Sequence, residues 1–277
     1  MSESLTGDPQ RLVELRAKID AIDESVHRLL MQRATVIDTL IEVKGTARNG
    51  AAFRPGREAS MMHELVVRHG GHLPVTAVEH LWREIISTFT ALQAPFSVHA
   101  TPMEGDLMAA VDTARFYFGF SVPLLMEATA QDVVATIEAG GDKLGILPLE
   151  GLYPWWQGLR KAQIVCRLPF IEAENRPAGR PAVVIAPPLA DPASPDITCY
   201  RVDGLSAMAP VSEGLTILSQ APYGTGLFSA LVATREGVDA ITARLGHGLD
   251  IAPVGGYAPT IPYPNGVQTA STPSAKL

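Results

Sequence analysis

The chain has 277 residues, 47% of them hydrophobic, so it can bury a real core, and its length favours two domains over one. A formal net charge of -7 with no run of Lys or Arg excludes the basic footprint of a nucleic-acid binder. The N-terminus MSESLTGDPQ has no basic-then-apolar leader pattern and no apolar run reaches about 18 residues, so a soluble, cytoplasmic protein without a membrane span is expected.

From about Asp8 to Ala94 the apolar spacing is helical. Leu12, Leu15, Ile19, Ile22, Val26 and Leu29, then Val36, Leu40 and Val43, recur at steps of three and four, a heptad seam on a helix of roughly 35 residues. Such a helix is about 50 Å long, and its narrow seam calls for partner helices or a second subunit. GTARNGAA interrupts the pattern. Pro55 suits the first position of a second helix, which runs to the glycines of RHGGHLP. Pro74 opens a third, carrying Val78, Leu81, Trp82, Ile85, Ile86, Phe89 and Leu92.

After Pro95 strands and helices alternate: FSVHA, then GDLMAAVDTARFYFG, then VPLLMEA, AQDVVATIEAGG and KLGILPLE. That order predicts an α/β domain over residues 96–260 with a mostly parallel sheet, behind a helical domain over residues 8–95. AQIVCRL, RPAVVIAP and ITCYRVD are further strands, PASPD is a loop, and GLFSALVATREGVDAITARLG reads as a last helix before DIAPVGGYAP. PYGTGLF places glycines before that helix, where a plain turn is the reading favoured over an anion site. Residues 261–277 are polar and Pro/Ser/Thr-rich and read as a disordered tail. Cys166 and Cys199 form no disulfide framework, neither they nor the seven His have metal spacing, and Trp155 and Trp156 read as packing.

Several charges stand where the pattern asks for apolar groups. Arg33 interrupts the seam of the first helix, and a charge there is costly unless paired or bound to an anion, although a snorkelling side chain is an equal reading. Lys44 lies about 16 Å along the same face, close enough for both side chains to converge on one small anion. Arg16 lies about 25 Å from Arg33 and turned by roughly 100°, so it reaches that ligand only from the antiparallel helix of a second subunit. On the third helix the stripe Trp82, Ile86 and Phe89 continues to Gln93, an amide in need of partners or a frayed end. With Arg57 and Glu58 of FRPGREA, the set offers anion-binding groups, one carboxylate and one amide, and no evident nucleophile. Such a set suits grip on a dicarboxylate and stabilisation of charge growing on an oxygen.

Residues 12–93 resemble the all-helical (AroQ-class) chorismate mutases through LRAKIDAIDESVHRLLMQRATVIDTLIEVK, RPGREA and LWREIISTFTALQ, with the Arg16–Arg33–Lys44 spacing ungapped. The resemblance implies an intertwined homodimer of three-helix chains that rearranges chorismate to prephenate in aromatic amino acid biosynthesis, with no cofactor. It implies that Arg33 and the partner's Arg16 clamp the two carboxylates. Lys44 and Gln93 then meet the ether oxygen, Glu58 the ring hydroxyl, and Arg57 a carboxylate or Glu58. Phe89 stands where the family often carries Ser, and Arg54 where some members have Asp. The second domain resembles prephenate dehydratase more weakly: Pro148-Leu149-Glu150-Gly151-Leu152 lacks the Asn and Ser of that family's Pro-x-Glu-Asn-Ser motif. Its Gly-rich Gly-Thr-Phe segment is also missing from VHATPMEGD. The expectation is a mutase whose α/β domain lacks dehydratase activity. A bifunctional mutase/dehydratase, a non-catalytic sensor of an aromatic-pathway metabolite, and an isochorismate-pyruvate lyase on the same helical fold are the alternatives.

Overall fold

The computed structural model describes residues 8–44, 53–151, 153–189 and 195–263. The GTARNGAA break, most of the PASPD loop and residues 264–277 lie outside them. The chain forms two compact units, one carrying the first helix and one carrying every other described element.

The first unit is helix α1, Pro9–Lys44, 36 residues long. The Asp8 carboxylate accepts from the Gln10 amide (3.0 Å), satisfying one of the donors a helix start leaves open, and Pro9 needs no donor there. The predicted seam is present and open to solvent: Leu12, Ile19, Ile22, Val26, Leu29 and Val36 are all exposed, Ile22 at 61%.

In the second unit α2 (Pro55–Arg68) and α3 (Val75–Gln93) precede a mixed sheet. Its strands and helices follow in the order β1 (Ser97–Ala100), α4 (Leu107–Phe118), β2 (Leu124–Met126), α5 (Ala130–Glu138) and β3 (Lys143–Pro148). After a 3-10 turn at Trp155–Gly158 come β4 (Gln163–Leu168), β5 (Ile171–Glu172), β6 (Ala182–Ala186), β7 (Ile197–Leu205) and β8 (Thr216–Pro222). The last elements are β9 (Phe228–Thr234), α6 (Val238–Leu245), β10 (Asp250–Tyr257) and β11 (Ile261–Pro262).

The nine-stranded sheet has the order β2-β1-β3-β6-β4-β10-β7-β9-β8. The parallel arrangement expected of this domain is met by β2–β1–β3, joined by α4 and α5, and by β4–β10. The other neighbours, β3–β6, β4–β6, β7–β10, β7–β9 and β8–β9, are antiparallel, and the short turn between β8 and β9 leaves no room for a crossover helix. Two helix starts in the sheet domain are capped by their own side chains. Asp106 accepts from the Ala109 amide (3.0 Å) at α4, and Thr129 and Asp132 form a reciprocal box at α5.

Period-two alternation divides the core. Ala182, Val184 and Ala186 of β6 face a cluster with Met62 and Leu65 of α2, Val75 and Ile86 of α3, and Ala110, Ala114 and Tyr117 of α4. Val183 and Ile185 face the opposite cluster, with Val133 and Ile137 of α5, Trp155 and Trp156. Both tryptophans are packing residues, as expected, and their indole N–H groups donate to Pro148 O (3.0 Å) and Ser229 Oγ (2.8 Å). Gly145 of β3 lets α5 sit close, since a Cβ there would stand 2.8 Å from side-chain carbons of Ile185 and Val133.

Three expectations change. The segment predicted as one last helix is β9 followed by α6: FSALVAT is β-branched, small and buried along its length, and fits a central strand better than a surface helix. PYGTGLF therefore precedes a strand; it turns the β8–β9 hairpin, with the Tyr223 amide donating to Leu227 O (2.8 Å), and offers no helix N-terminus. The tail begins with β11, which pairs in parallel with β5.

Candidate functional site

The seven residues singled out in the sequence fall on both units. On α1, Arg16 is exposed and Arg33 half-buried. Lys44 is the last residue of the helix. The helix rise keeps the three roughly 25 and 16 Å apart, as the spacing required.

The other four lie on the second unit's helix pair, Arg57 and Glu58 in the first turn of α2 and Phe89 and Gln93 in the last turns of α3. Pro55 starts α2 and sets Glu58 in its first turn, where the helix dipole favours a carboxylate. Arg57 is exposed, whereas Glu58 is buried at 5% exposure. Gln93, at the last position of α3, is half-buried and donates through Nε2 to Phe89 O (3.0 Å), so it is oriented rather than frayed. Phe89 is buried.

The inward face of α3 is not the apolar stripe alone. Leu81 and Leu92 are exposed, while Glu79, Arg83, Ser87 and Thr90 are buried with Val75, Ile86 and Phe89. Arg83 Nη1 donates to Glu58 Oε2 at 2.5 Å, and its Nε donates to Tyr117 O of α4 at 2.9 Å. The guanidinium lies 4.9 Å from the Phe170 ring centroid. One turn earlier Glu79 Oε2 contacts Arg176 Nη2 at 3.0 Å, an ion pair with both side chains almost fully buried. Burial, only partly opposed by Arg176 and Arg83, holds the Glu79 carboxyl above the ordinary carboxylate range. Sequence reasoning missed Arg83, Glu79 and Arg176. The signal for two of them was available: Val75, Glu79, Arg83, Ile86 and Thr90 follow one another at helical steps of four and three.

A second concavity lies at the C-terminal ends of β1 and β3, the place where open α/β sheets receive ligands. It encloses about 600 Å³ between Thr101, Pro102, Pro148, Glu150, Tyr153 and Trp155. Arg180 Nη1 donates to both Glu104 (3.0 Å) and Glu150 (2.9 Å) at this end of the sheet. Hydrogen bonds to Glu150 and then to Glu104 hold the guanidinium above its ordinary range.

The first unit thus carries a long helix with an open heptad seam and a basic row; the second carries a helix pair with a buried carboxylate and an oriented amide. Residues 15–94 match the model of the chorismate mutase type II family. The chain is 31% identical over 147 residues to the bifunctional chorismate mutase/prephenate dehydratase of Pseudomonas aeruginosa, an alignment covering 52% of this chain and 40% of that protein. It is 31% identical over 145 residues to the protein of the same description from Aquifex aeolicus, covering 51% and 39%. The chain thus spans about two fifths of the length of these curated relatives. The structure of prephenate dehydratase from Streptococcus mutans superposes with a TM-score of 0.35 and 11% identity over 58% of this chain and 97% of that one, a likeness too slight to carry an assignment. Among the described residues no helix is long and apolar enough to cross a membrane.

Proposed function

We propose that the protein is a homodimeric chorismate mutase of aromatic amino acid biosynthesis, acting in the cytoplasm, with an α/β domain that does not dehydrate prephenate. The observation that supports this reading is the match over residues 15–94, a range that contains Arg16, Arg33, Lys44, Arg57, Glu58 and Gln93. The open seam of α1 supports the dimer. Six large apolar side chains are exposed along it, each worth about 1.5–3 kcal/mol on full burial, and a second copy of the helix is the self-complementary way to cover them.

In the proposed site Arg33 and the Arg16 of a second copy of this chain fix the two carboxylates of chorismate and hold the enolpyruvyl side chain over the ring. The C–O bond then breaks as the C–C bond forms, within one molecule and without an added proton or electron. Negative charge grows on the ether oxygen, where Lys44 and Gln93 donate; charge stabilisation of this kind is the main source of rate in such sites. The Phe89 carbonyl holds the Gln93 amide, which lowers the reorganisation needed to meet that oxygen. Glu58 receives the ring hydroxyl and Arg57 supports the carboxylate end. Phe89 narrows the pocket where a hydroxyl often stands.

Incubation of the purified protein with chorismate, following loss of diene absorbance and identifying the product by mass, tests the reading. Prephenate is the expected product; salicylate with pyruvate from isochorismate would assign the chain to lyases instead, and no turnover by a folded dimer would sink it. Arg33→Ala should abolish turnover while leaving helical content unchanged. The bifunctional alternative is favoured by the description of the relatives, and its mark is phenylpyruvate formed from prephenate. The absent Asn and Ser after Glu150 count against it.

A further inference from the structure

We infer that Arg83 is a positioning residue for the mutase site, and that the α/β domain, through Tyr117 and Phe170, anchors it. The inference rests on the mutase reading of Glu58. A carboxylate that is to receive a substrate hydroxyl must be held in one place, and Glu58 is 5% exposed. A buried carboxylate is costly without a paired charge. Arg83 supplies the compensating charge, its Nη1 donating to Oε2 at 2.5 Å.

Arg83 cannot wander, because three groups outside α3 define its place. Tyr117 O, at the end of α4, accepts from Nε and also from Ser87 Oγ (3.2 Å). The Phe170 ring, between β4 and β5, lies at 4.9 Å, and Phe118 at 5.8 Å. The guanidinium is itself 1% exposed, so its orientation is set by these contacts and not by solvent. Tyr117 and Phe170 both lie outside residues 15–94. The catalytic segment therefore relies on the α/β domain for the geometry of its carboxylate, even if that domain performs no chemistry.

A double-mutant cycle on the full chain tests this. Glu58→Gln should lower kcat/KM on the order of a hundredfold. Arg83→Met should lower it on the order of ten- to hundredfold, and in the Glu58→Gln background it should add less than about threefold, because it acts through Glu58. Arg83→Lys keeps the charge but not the fork, and should fold and recover part of the rate. Phe170→Leu, remote from the family segment, should cost about two- to fivefold, an effect again lost in the Glu58→Gln background. If Arg83→Met does not fold, the Lys and Leu variants carry the test. Multiplicative losses in both backgrounds, or Arg83→Lys and Phe170→Leu at full rate, overturn the inference. A wild-type protein inert toward chorismate, or Glu58→Gln at full rate, overturns the functional reading itself.

Discussion

Replacing Arg176 by Met should destabilise the second unit strongly, and the loss should depend on pH in a stated direction. The guanidinium contacts Glu79 at 3.0 Å, donates to Ile171 O, and lies 5.1 Å from the Phe116 ring centroid. Met fills much of the same space but leaves a carboxylate with 0% exposure facing the core. Removing one partner of such a pair costs about 3–5 kcal/mol, or about 6–20 °C in Tm for a unit of this size. Burial already holds the Glu79 carboxyl above the ordinary range, and Arg176 is the largest influence opposing it, so the substitution raises the carboxyl further. A carboxyl raised in the folded state keeps its proton at pH values where the unfolded chain has lost it. Folding therefore loses stability as pH rises from the ordinary carboxylate range through the raised value, and bears no penalty below both. The deficit of Arg176→Met should be largest at pH 8 and shrink toward pH 5, read by urea unfolding at both. Glu79→Gln added to Arg176→Met should restore most of the loss at pH 8. A deficit under about 1 kcal/mol, or one equal at the two pH values, would refute this account of the pair.

The open seam of α1 predicts that Val26→Asp shifts the protein from dimer to monomer, read by light scattering behind a sizing column at micromolar concentration. A wild-type monomer, or an unaltered dimer in the variant, contradicts it. Gly145→Leu forces a side chain into space already held by Ile185 and Val133 and should cost about 1–3 kcal/mol or more in thermal unfolding; a change below about 0.5 kcal/mol would show that α5 yields. Trp156→Phe deprives the buried Ser229 hydroxyl of an indole donor at 2.8 Å but leaves that of Gln157, and should cost about 0.5–1.5 kcal/mol in urea; an unchanged midpoint would argue against that bond.

The long helix, the two shorter ones and the parallel end of the sheet were legible because each rests on a local signal: a heptad, a proline at a helix start, or strands separated by helices of crossover length. β9 was not legible, because FSALVAT runs on toward a true helix with no Gly or Pro before Gly237. Tertiary burial, not propensity, makes it a strand. The α2–α3 pair was half legible. Arg57, Glu58 and Gln93 stood out as charges and an amide against an apolar pattern. Arg83 and Glu79 escaped because a charged residue on an amphipathic helix is normally assigned to the wet face. Their partners, Tyr117 O and Arg176, are 34 and 97 positions further along the chain, beyond the reach of any local pattern.

The position of β10 has a consequence for how the chain is made. The last long strand does not close an edge; it sits inside the sheet, parallel to β4 and antiparallel to β7. Until Tyr257 has left the ribosome, β4 and β7 each present an open row of backbone donors and acceptors where β10 belongs. The growing chain thus has two half-sheets and no route to join them, and any product that ends before this strand is left with two adhesive borders. Emergence of β10, rather than collapse of the earlier segments, is the event that turns this domain into one object.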